Sequence, residues 1–273
     1  MTPLAVEAVG LMAPGLAGWT ASQAVLAGQR PYVAEPMPAA MATLLPANER
    51  RRVTATIKLA LQVAQEAMAQ TAFTPDPSPG DGRGEPSVRT VFASASGDSE
   101  ILDKICVALT QPDRPVSPTH FHQSVHNTPA GYWAIATGCM QPSLSLSAYD
   151  GSFVAGLREA AALAWADQAR VLLIAYDLPL PFPLAEYRKI VAPFAVALLL
   201  NPAATTDRLA LLRLESTVGE PVDRLDDAGL ERLRTGNPAA RGLPLLCAMA
   251  QRTARRVILS AGDSAALSVE VKS

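Results

Sequence analysis

Few of the residues that usually announce a chemistry are present in this sequence of 273 residues. It has three cysteines, three histidines and 5% aromatic residues, and its 23 Lys and Arg nearly cancel its 25 Asp and Glu, for a net charge of -2. So weak a field gathers neither nucleic acid nor an anionic membrane, which removes polyanions from the partners to consider. Cys106, Cys139 and Cys247 are odd in number and far apart, which suits reduced thiols in a cytoplasm and not a disulfide framework. No metal-knuckle spacing occurs. The longest apolar stretches, such as Val191–Leu200 with Pro193 inside it, fall short of the roughly 20 residues a membrane helix needs. Residues 1–18 have neither the basic start nor the sustained apolar run of a signal peptide. The expectation is a cytoplasmic protein with no membrane insertion, no nucleic-acid partner and no cofactor.

What the sequence does hold is apolar: 49% of it is hydrophobic, enough for a sizeable core. A short strand at Ala5–Val9 leads through Gly10, Pro14 and Gly15 into a helix over Trp19–Ala27 that Gly28 ends. Asn48 precedes a long helix, Glu49–Ala69, with Val53, Ile57, Ala60, Leu61, Ala64 and Met68 at three- and four-residue spacing. Residues 74–86 read as a flexible loop. Gly80, Gly82 and Gly84 do not make a dinucleotide site there, because no strand precedes them and no helix follows. A strand at Val88–Ala93 and a helix at Glu100–Leu109 come next, with Ile101, Leu102, Ile105, Cys106 and Leu109 on the expected buried face.

Asn127 and Pro129 start a short helix that stops at Gly138. A strand at Ser143–Ser147, a sharp turn and a helix over Gly151–Ala166 follow, then a wholly apolar strand, Val171–Tyr176, of the kind covered on both faces. Ala195–Leu200 and Leu209–Leu214, separated by Asn201, Pro202 and Asp207, read as a hairpin. A helix about Pro238–Thr253 and strands at Arg256–Ser260 and Leu267–Val271 complete an α/β pattern. The chain is expected to be one domain over 1–273, with 216–273 as an extension.

Three stretches resemble the β-ketoacyl synthase family in order and spacing: Val116-Ser117-Pro118, Asn127 through Gly138, and Pro142 through Asp150. Val9-Gly10-Leu11 and Val91 through Asp98 fall where the family places similar elements. The resemblance implies a thiolase-like fold, layered α/β/α with a mixed sheet, in a single N-terminal half. At the position aligned with Asp150 an active ketosynthase would carry a cysteine at the start of a buried helix. Peptide dipoles and unpaired N–H groups there lower a thiol's pKa and hold it as a thiolate. A carboxylate is a far weaker acyl acceptor, so Asp150 reads as an N-cap. The family's two catalytic histidines come from its second half, and His120, His122 and His126 all lie upstream of Asp150.

The resemblance therefore implies a non-condensing, chain-length-factor-type subunit. Its wording over Ser124–Gly138 and Ser147–Ala160 is similar to the ketosynthase-like proteins of aryl polyene and xanthomonadin-type pigment clusters. A single half would expose apolar surface and a sheet edge. That implies a full-length ketosynthase as heterodimer partner, an acyl carrier protein as a further one, and a homodimer as the substitute in isolation. Tyr132, Trp133, Asp150 and Phe153 are the expected wall residues of the chain-holding cavity.

The competing reading is an acyltransferase, decarboxylase or hydrolase that uses Asp150 with His120, His122 or His126. A third is a carrier-binding module without a ketosynthase. His120 and His122 alternate as on an extended strand and could form a metal site with His126, or simply a polar loop; the residues leave both open. Cys139, beyond a helix stop, reads as structural, and Ser143, Ser145 and Ser147 as strand packing. Arg50, Arg51 and Arg52, and Arg252, Arg255 and Arg256, are basic clusters that read as solvated faces.

Overall fold

A computed structural model describes residues 3–71, 88–203, 206, 208–262 and 265–272. The glycine-rich stretch 74–86 lies outside the described residues. The chain opens with β1 (Leu4–Ala13), the two-residue β2 (Leu16–Ala17) and α1 (Trp19–Leu26). Helices α2 (Ala47–Arg52) and α3 (Ala55–Ala69) precede β3 (Arg89–Ala93), α4 (Ser99–Thr110), α5 (Pro118–Ser124) and α6 (Thr128–Thr137). Then come β4 (Ser143–Leu146), α7 (Ser152–Asp167), β5 (Val171–Asp177), the one-turn α8 (Leu184–Tyr187), β6 (Phe194–Asn201) and β7 (Ala210–Val218). The last elements are α9 (Ala228–Gly236), α10 (Leu243–Gln251), β8 (Arg255–Ser260) and β9 (Ala265–Lys272).

Among the described residues the strands form one mixed sheet in the order β4-β3-β5-β6-β1-β7-β9-β8, with β2 folded back on β1. Only β4, β3 and β5 run parallel to one another; every other pairing is antiparallel. Strand periodicity divides the core into two halves. On β5 and β6, Val171, Leu173, Ala175, Phe194, Val196, Leu198 and Leu200 face one side, which α1, α7, α9 and α10 cover. Leu172, Ile174, Tyr176, Ala195, Ala197 and Leu199 face the other, which α3 and α6 cover. The result is a layered α/β/α arrangement.

β1 keeps this division only by breaking its own alternation. Leu4 and Val6 face the first side, and so do Val9, Leu11 and Ala13, because the register slips between Val6 and Ala8. Such a bulge adds one residue and restores the correct face beyond it. The extra residue, Glu7, is held by Arg170 (2.9 Å) and by the Asn201 side-chain amide (2.6 Å). Between Val6, the last residue paired with β7, and Met12, where β2 pairs, the edge of β1 opposite β6 meets α3 in place of a neighbouring strand. Gln70 accepts from the Val9 N–H (3.4 Å) and donates to the Val9 carbonyl (2.6 Å), and Glu66 accepts from the N–H groups of Leu11 (2.9 Å) and Trp19 (2.6 Å). Burial pushes the Glu66 carboxyl above its ordinary range, although these two hydrogen bonds pull the other way.

The opposite sheet edge, β8, is shielded at Ile258: the Asp223 N–H donates to its carbonyl (3.0 Å), and the Asp223 carboxylate accepts from its N–H (2.6 Å). β4 at the other end has no such cover among the described residues.

Several expected elements are corrected. The helix read over Glu49–Ala69 is two helices, because Val53 is extended and buried and Thr54 caps α3 by accepting from the Ile57 N–H. All six residues of its apolar stripe are buried as expected. α4 buries Ile101, but Leu102, Leu109 and Cys106 are exposed, since α4 lies at the end of the sheet against α5. β6 and β7 are not a hairpin: β1 runs between them, paired with both. α9 was not expected; Asp227 caps it by accepting from the N–H groups of Gly229 and Leu230. The helix read over Pro238–Thr253 is a 3₁₀ turn, Ala239–Gly242, followed by α10.

Gly10 is where α3 meets β1 most closely. A Cβ built there would lie 1.9 Å from the Val63 carbonyl oxygen, a backbone atom that cannot swing away. Gly10→Ala should therefore cost about 3 kcal/mol or more, by the overpacking mechanism, with a matching fall in the urea midpoint. A midpoint within error of wild type would show that α3 can shift freely on the sheet.

Candidate functional site

The turn from β4 into α7 is built by local chemistry. After Leu146 the chain passes Ala148 and reaches Tyr149, whose φ of 52° lies in the left-handed region that few non-glycine residues enter. Ser152 fixes this conformation: its hydroxyl accepts from the Ala148 N–H (3.0 Å) and donates to the Tyr149 carbonyl (2.7 Å). Gly151 sits so close to the β8–β9 turn that a Cβ would fall 2.6 Å from the Ala261 carbonyl oxygen. The outcome is a strained elbow that holds Tyr149 and Asp150 outward.

Asp150 does not cap α7, as the sequence led us to expect. Gly151 holds the cap position and no side chain caps it. The Asp150 carboxylate instead pairs with Arg188 (2.9 Å) and Arg241 (3.5 Å). Both arginines are largely buried, and the Arg188 guanidinium lies over the Tyr149 ring, 3.6 Å from its centroid. Burial lowers the Arg241 pKa from its ordinary value, with Asp150 opposing that shift. Tyr149, Asp150, Tyr187, Arg188, Lys189, Ile190, Thr235, Gly236 and Pro238 line a cleft of about 220 Å³ beside the elbow. A larger hollow of about 620 Å³ lies between α1, α9 and α10, with Cys247 and Arg255 in its wall and none of these residues.

The four expected wall residues are not brought together. Phe153 is fully buried on the α7 side of the sheet, its ring packed against Gly242. Tyr132 and Trp133 belong to the core on the opposite face, with α3. Of the four, Asp150 alone lines the elbow cleft. His120 and His122 sit on helix α5 and not on an extended strand, which corrects the alternation read from sequence. The His122 ring meets Tyr132 edge-on at 6.3 Å, and His126 Nε2 lies 3.1 Å from the Ser94 carbonyl oxygen. Asp150 has arginine partners, so no Asp–His pair is assembled. Among the described residues no group of three His, Cys, Asp or Glu is placed to hold a metal.

No thiol stands at the elbow either. Cys139 is buried, its Sγ donating to the Val88 carbonyl (3.4 Å), and Cys106 is exposed on α4. Burial pushes the Cys247 thiol up to about 12, which keeps it protonated at neutral pH.

Asp177, at the end of β5, was not singled out from sequence. It is wholly buried and accepts from the Ser94 hydroxyl (3.0 Å) and from the N–H groups of Ala95 (2.9 Å) and Ser96 (3.1 Å), fixing the turn between β3 and α4. Ser147 donates to the Ala95 carbonyl (3.3 Å), so that turn also supports the approach to the elbow. The sequence signal was a carboxylate ending an apolar run, Val171–Tyr176. Arg188 and Arg241 gave no local signal at all.

With this geometry described, the class follows: an α/β protein of thiolase-like fold whose elbow carries no nucleophilic sulfur. The chain belongs to the β-ketoacyl synthase N-terminal domain family, whose profile matches residues 19–255. No curated protein sequence matches it. Among solved structures it is similar to a chain of the ketosynthase ApeO in complex with its chain length factor ApeC from Xenorhabdus doucetiae, at 22% identity and a TM-score of 0.74. That match covers 99% of this chain and 100% of the other. It is also similar to the ishigamide ketosynthase/chain length factor, at 13% identity, a TM-score of 0.72 and 99% of both chains. A third, at 12% identity and a TM-score of 0.69, is the AntDE:AntF complex of a type II PKS acyl-carrier protein with its ketosynthase bound to the hexaketide; it covers 98% of this chain and 99% of that one. At such identities the likeness shows a shared fold.

Burial raises the Asp177 carboxyl from 3.8 to about 6, against its hydrogen bonds and Arg188. The folded chain then holds this proton more tightly than the unfolded chain does. The associated stability is fully present below the unfolded value and is lost as pH rises through about 6. Asp177→Asn, which keeps an acceptor oxygen, should flatten the decline in urea-unfolding free energy between about pH 4 and pH 7. An unchanged pH slope in the variant would refute this assignment.

Proposed function

We propose that this chain is a non-condensing, chain-length-factor-type subunit that pairs with an active ketosynthase. The observation that carries the reading is the elbow itself. Where the family resemblance places an acyl-accepting thiolate, the turn holds Tyr149-Asp150-Gly151, with the carboxylate locked between Arg188 and Arg241. A carboxylate is a far weaker acyl acceptor than a thiolate, and this one is engaged by two guanidiniums. The overlay along nearly whole chains with members of ketosynthase and chain-length-factor assemblies supports the same reading.

The surface supports a protein partner. β4 is a parallel edge strand bonded to β3 on one side. Exposed apolar side chains accompany it: Leu144 on β4 itself, Ile135 on α6, which packs against β4, and Met140 in the segment between them. An open edge with exposed apolar groups suits association and is a liability alone. We assign the ketosynthase to this face, an acyl carrier protein to the resulting pair, and a homodimer to the chain in isolation. The wording over Ser124–Gly138 and Ser147–Ala160 supports a place in aryl polyene or xanthomonadin-type pigment synthesis, as a cytoplasmic single-domain subunit.

The test is co-expression with a full-length ketosynthase from the same gene neighbourhood, followed by size-exclusion chromatography. Wild type should co-elute as a one-to-one pair, and Leu144→Arg with Ile135→Arg should release it while leaving the circular dichroism unchanged. If the purified chain alone turned over acyl or malonyl carrier protein, and Asp150→Asn abolished that turnover, the enzymatic reading would replace this one.

A further inference from the structure

The elbow cleft gathers cations whose donors are only partly used. Arg188 and Lys189 line it beside Asp150, and Arg241 reaches the same carboxylate from just outside the lining. Arg188 also acts on the buried Asp177 and Arg241 on Glu231, while the nearby Arg234 is satisfied by Glu231 through two bonds of 2.6 and 2.7 Å. Arginine stays protonated at any ordinary pH, so these charges are permanent. Arg188 donates to Asp150 through one Nη, and its Nε is buried with no hydrogen-bond partner. Arg241 reaches Asp150 only at 3.5 Å and donates weakly to the Thr235 carbonyl at 3.4 Å, and its Nε is likewise buried and unpartnered. A guanidinium presents five donors in a planar fork suited to a carboxylate gripped by two parallel bonds. Neither arginine makes that grip here.

Tyr149 and Tyr187 border the cleft, and the Arg188 guanidinium lies over the Tyr149 ring. Both tyrosines are largely exposed, an arrangement that burial in the chain's own core does not account for. The volume, about 220 Å³, is below the roughly 300–1,000 Å³ of sites for drug-sized ligands, so the occupant is small, one ring or a short chain.

We propose that the Arg188–Arg241 pair is a recognition site for a small aromatic carboxylate, and that Asp150 is an internal stand-in that occupies it in the resting chain. An incoming carboxylate displaces Asp150 from the guanidiniums, and the ring of the ligand packs against Tyr149 and Tyr187. No covalent step is involved. The site acts as a reader of a free acid at the elbow. This rests on the reading of the elbow as non-condensing and adds its ligand class.

The experiment is a ligand-observed NMR titration of the full chain with benzoate, with benzamide, acetate and inorganic phosphate as controls. Asp150→Asn removes the competing charge and keeps the size, so it should tighten benzoate about tenfold over wild type, as expected for restoring a charge-assisted bidentate pair. Arg188→Gln added to that variant should abolish the gain. Acetate should bind more weakly than benzoate, and benzamide not measurably. Equal affinity of Asp150→Asn and wild type, both with native circular dichroism, would overturn the proposal, as would benzamide binding as tightly as benzoate. Phosphate binding more tightly than benzoate would also overturn it in favour of a phosphate site. If Asp150→Asn fails to fold, Arg241→Gln in the wild-type chain tests the same claim: benzoate affinity must fall at least about fivefold, and an unchanged affinity refutes it. Co-elution of each variant with the ketosynthase is read separately, so loss of pairing and loss of carboxylate binding are told apart.

Discussion

One extra residue in β1 decides how the rest of the chain can pack. Without the bulge at Glu7, the residues from Ala8 to Ala13 would each present the opposite face. Leu11 and Val9 would then turn toward α3, and Ala8 and Met12 toward α7. Glu7 is a poor candidate for burial, yet its side chain is almost wholly enclosed and carries Arg170 and Asn201 with it. A buried carboxylate is tolerable only with such partners, so the local geometry and the ion pair require each other. From that bulge follow the two-sided core, the seat of α3 on Gly10, and the use of Glu66 and Gln70 to complete the strand's open edge.

The same economy governs the elbow. Tyr149 is held in an unfavourable conformation by Ser152 beneath it and by the β8–β9 turn against Gly151, so the end of the sheet is tied to the start of α7. Arg188, from the segment after α8, and Arg241, from the turn before α10, converge on Asp150 from separate parts of the chain. The site is therefore a product of the complete fold and not of a local motif.

That distinction explains what could be seen in the sequence. β5, β6 and α3 were legible because their apolar periodicity is set by the core they enter, and the start and stop of α6 were written in Asn127, Pro129 and Gly138. The resemblance around Pro142–Asp150 located the turn that became the site. The failures share a cause: they depend on neighbours distant in sequence. β6 and β7 look like a hairpin because they are consecutive, and nothing nearby reveals that β1 lies between them. α4 has an apolar stripe that predicts burial, but its place at the sheet's end covers Ile101 and leaves Leu102, Cys106 and Leu109 exposed. Phe153 and Trp133 look alike as aromatic residues near the turn, yet the sheet puts them in different halves of the core. Arg188 and Arg241 are ordinary surface arginines until the fold brings them to one carboxylate.

Asp223 gives the two ends of the sheet different prospects. By occupying both backbone groups of Ile258, it leaves β8 unable to accept a further strand at that point, whereas among the described residues β4 has no such cover. A strand added to the sheet would therefore meet a block at one end that it does not meet at the other. Were two chains to join through β4, each would use up the other's uncovered edge, and the assembly would close as a finite pair where a sheet open at both ends would run on into a fibre.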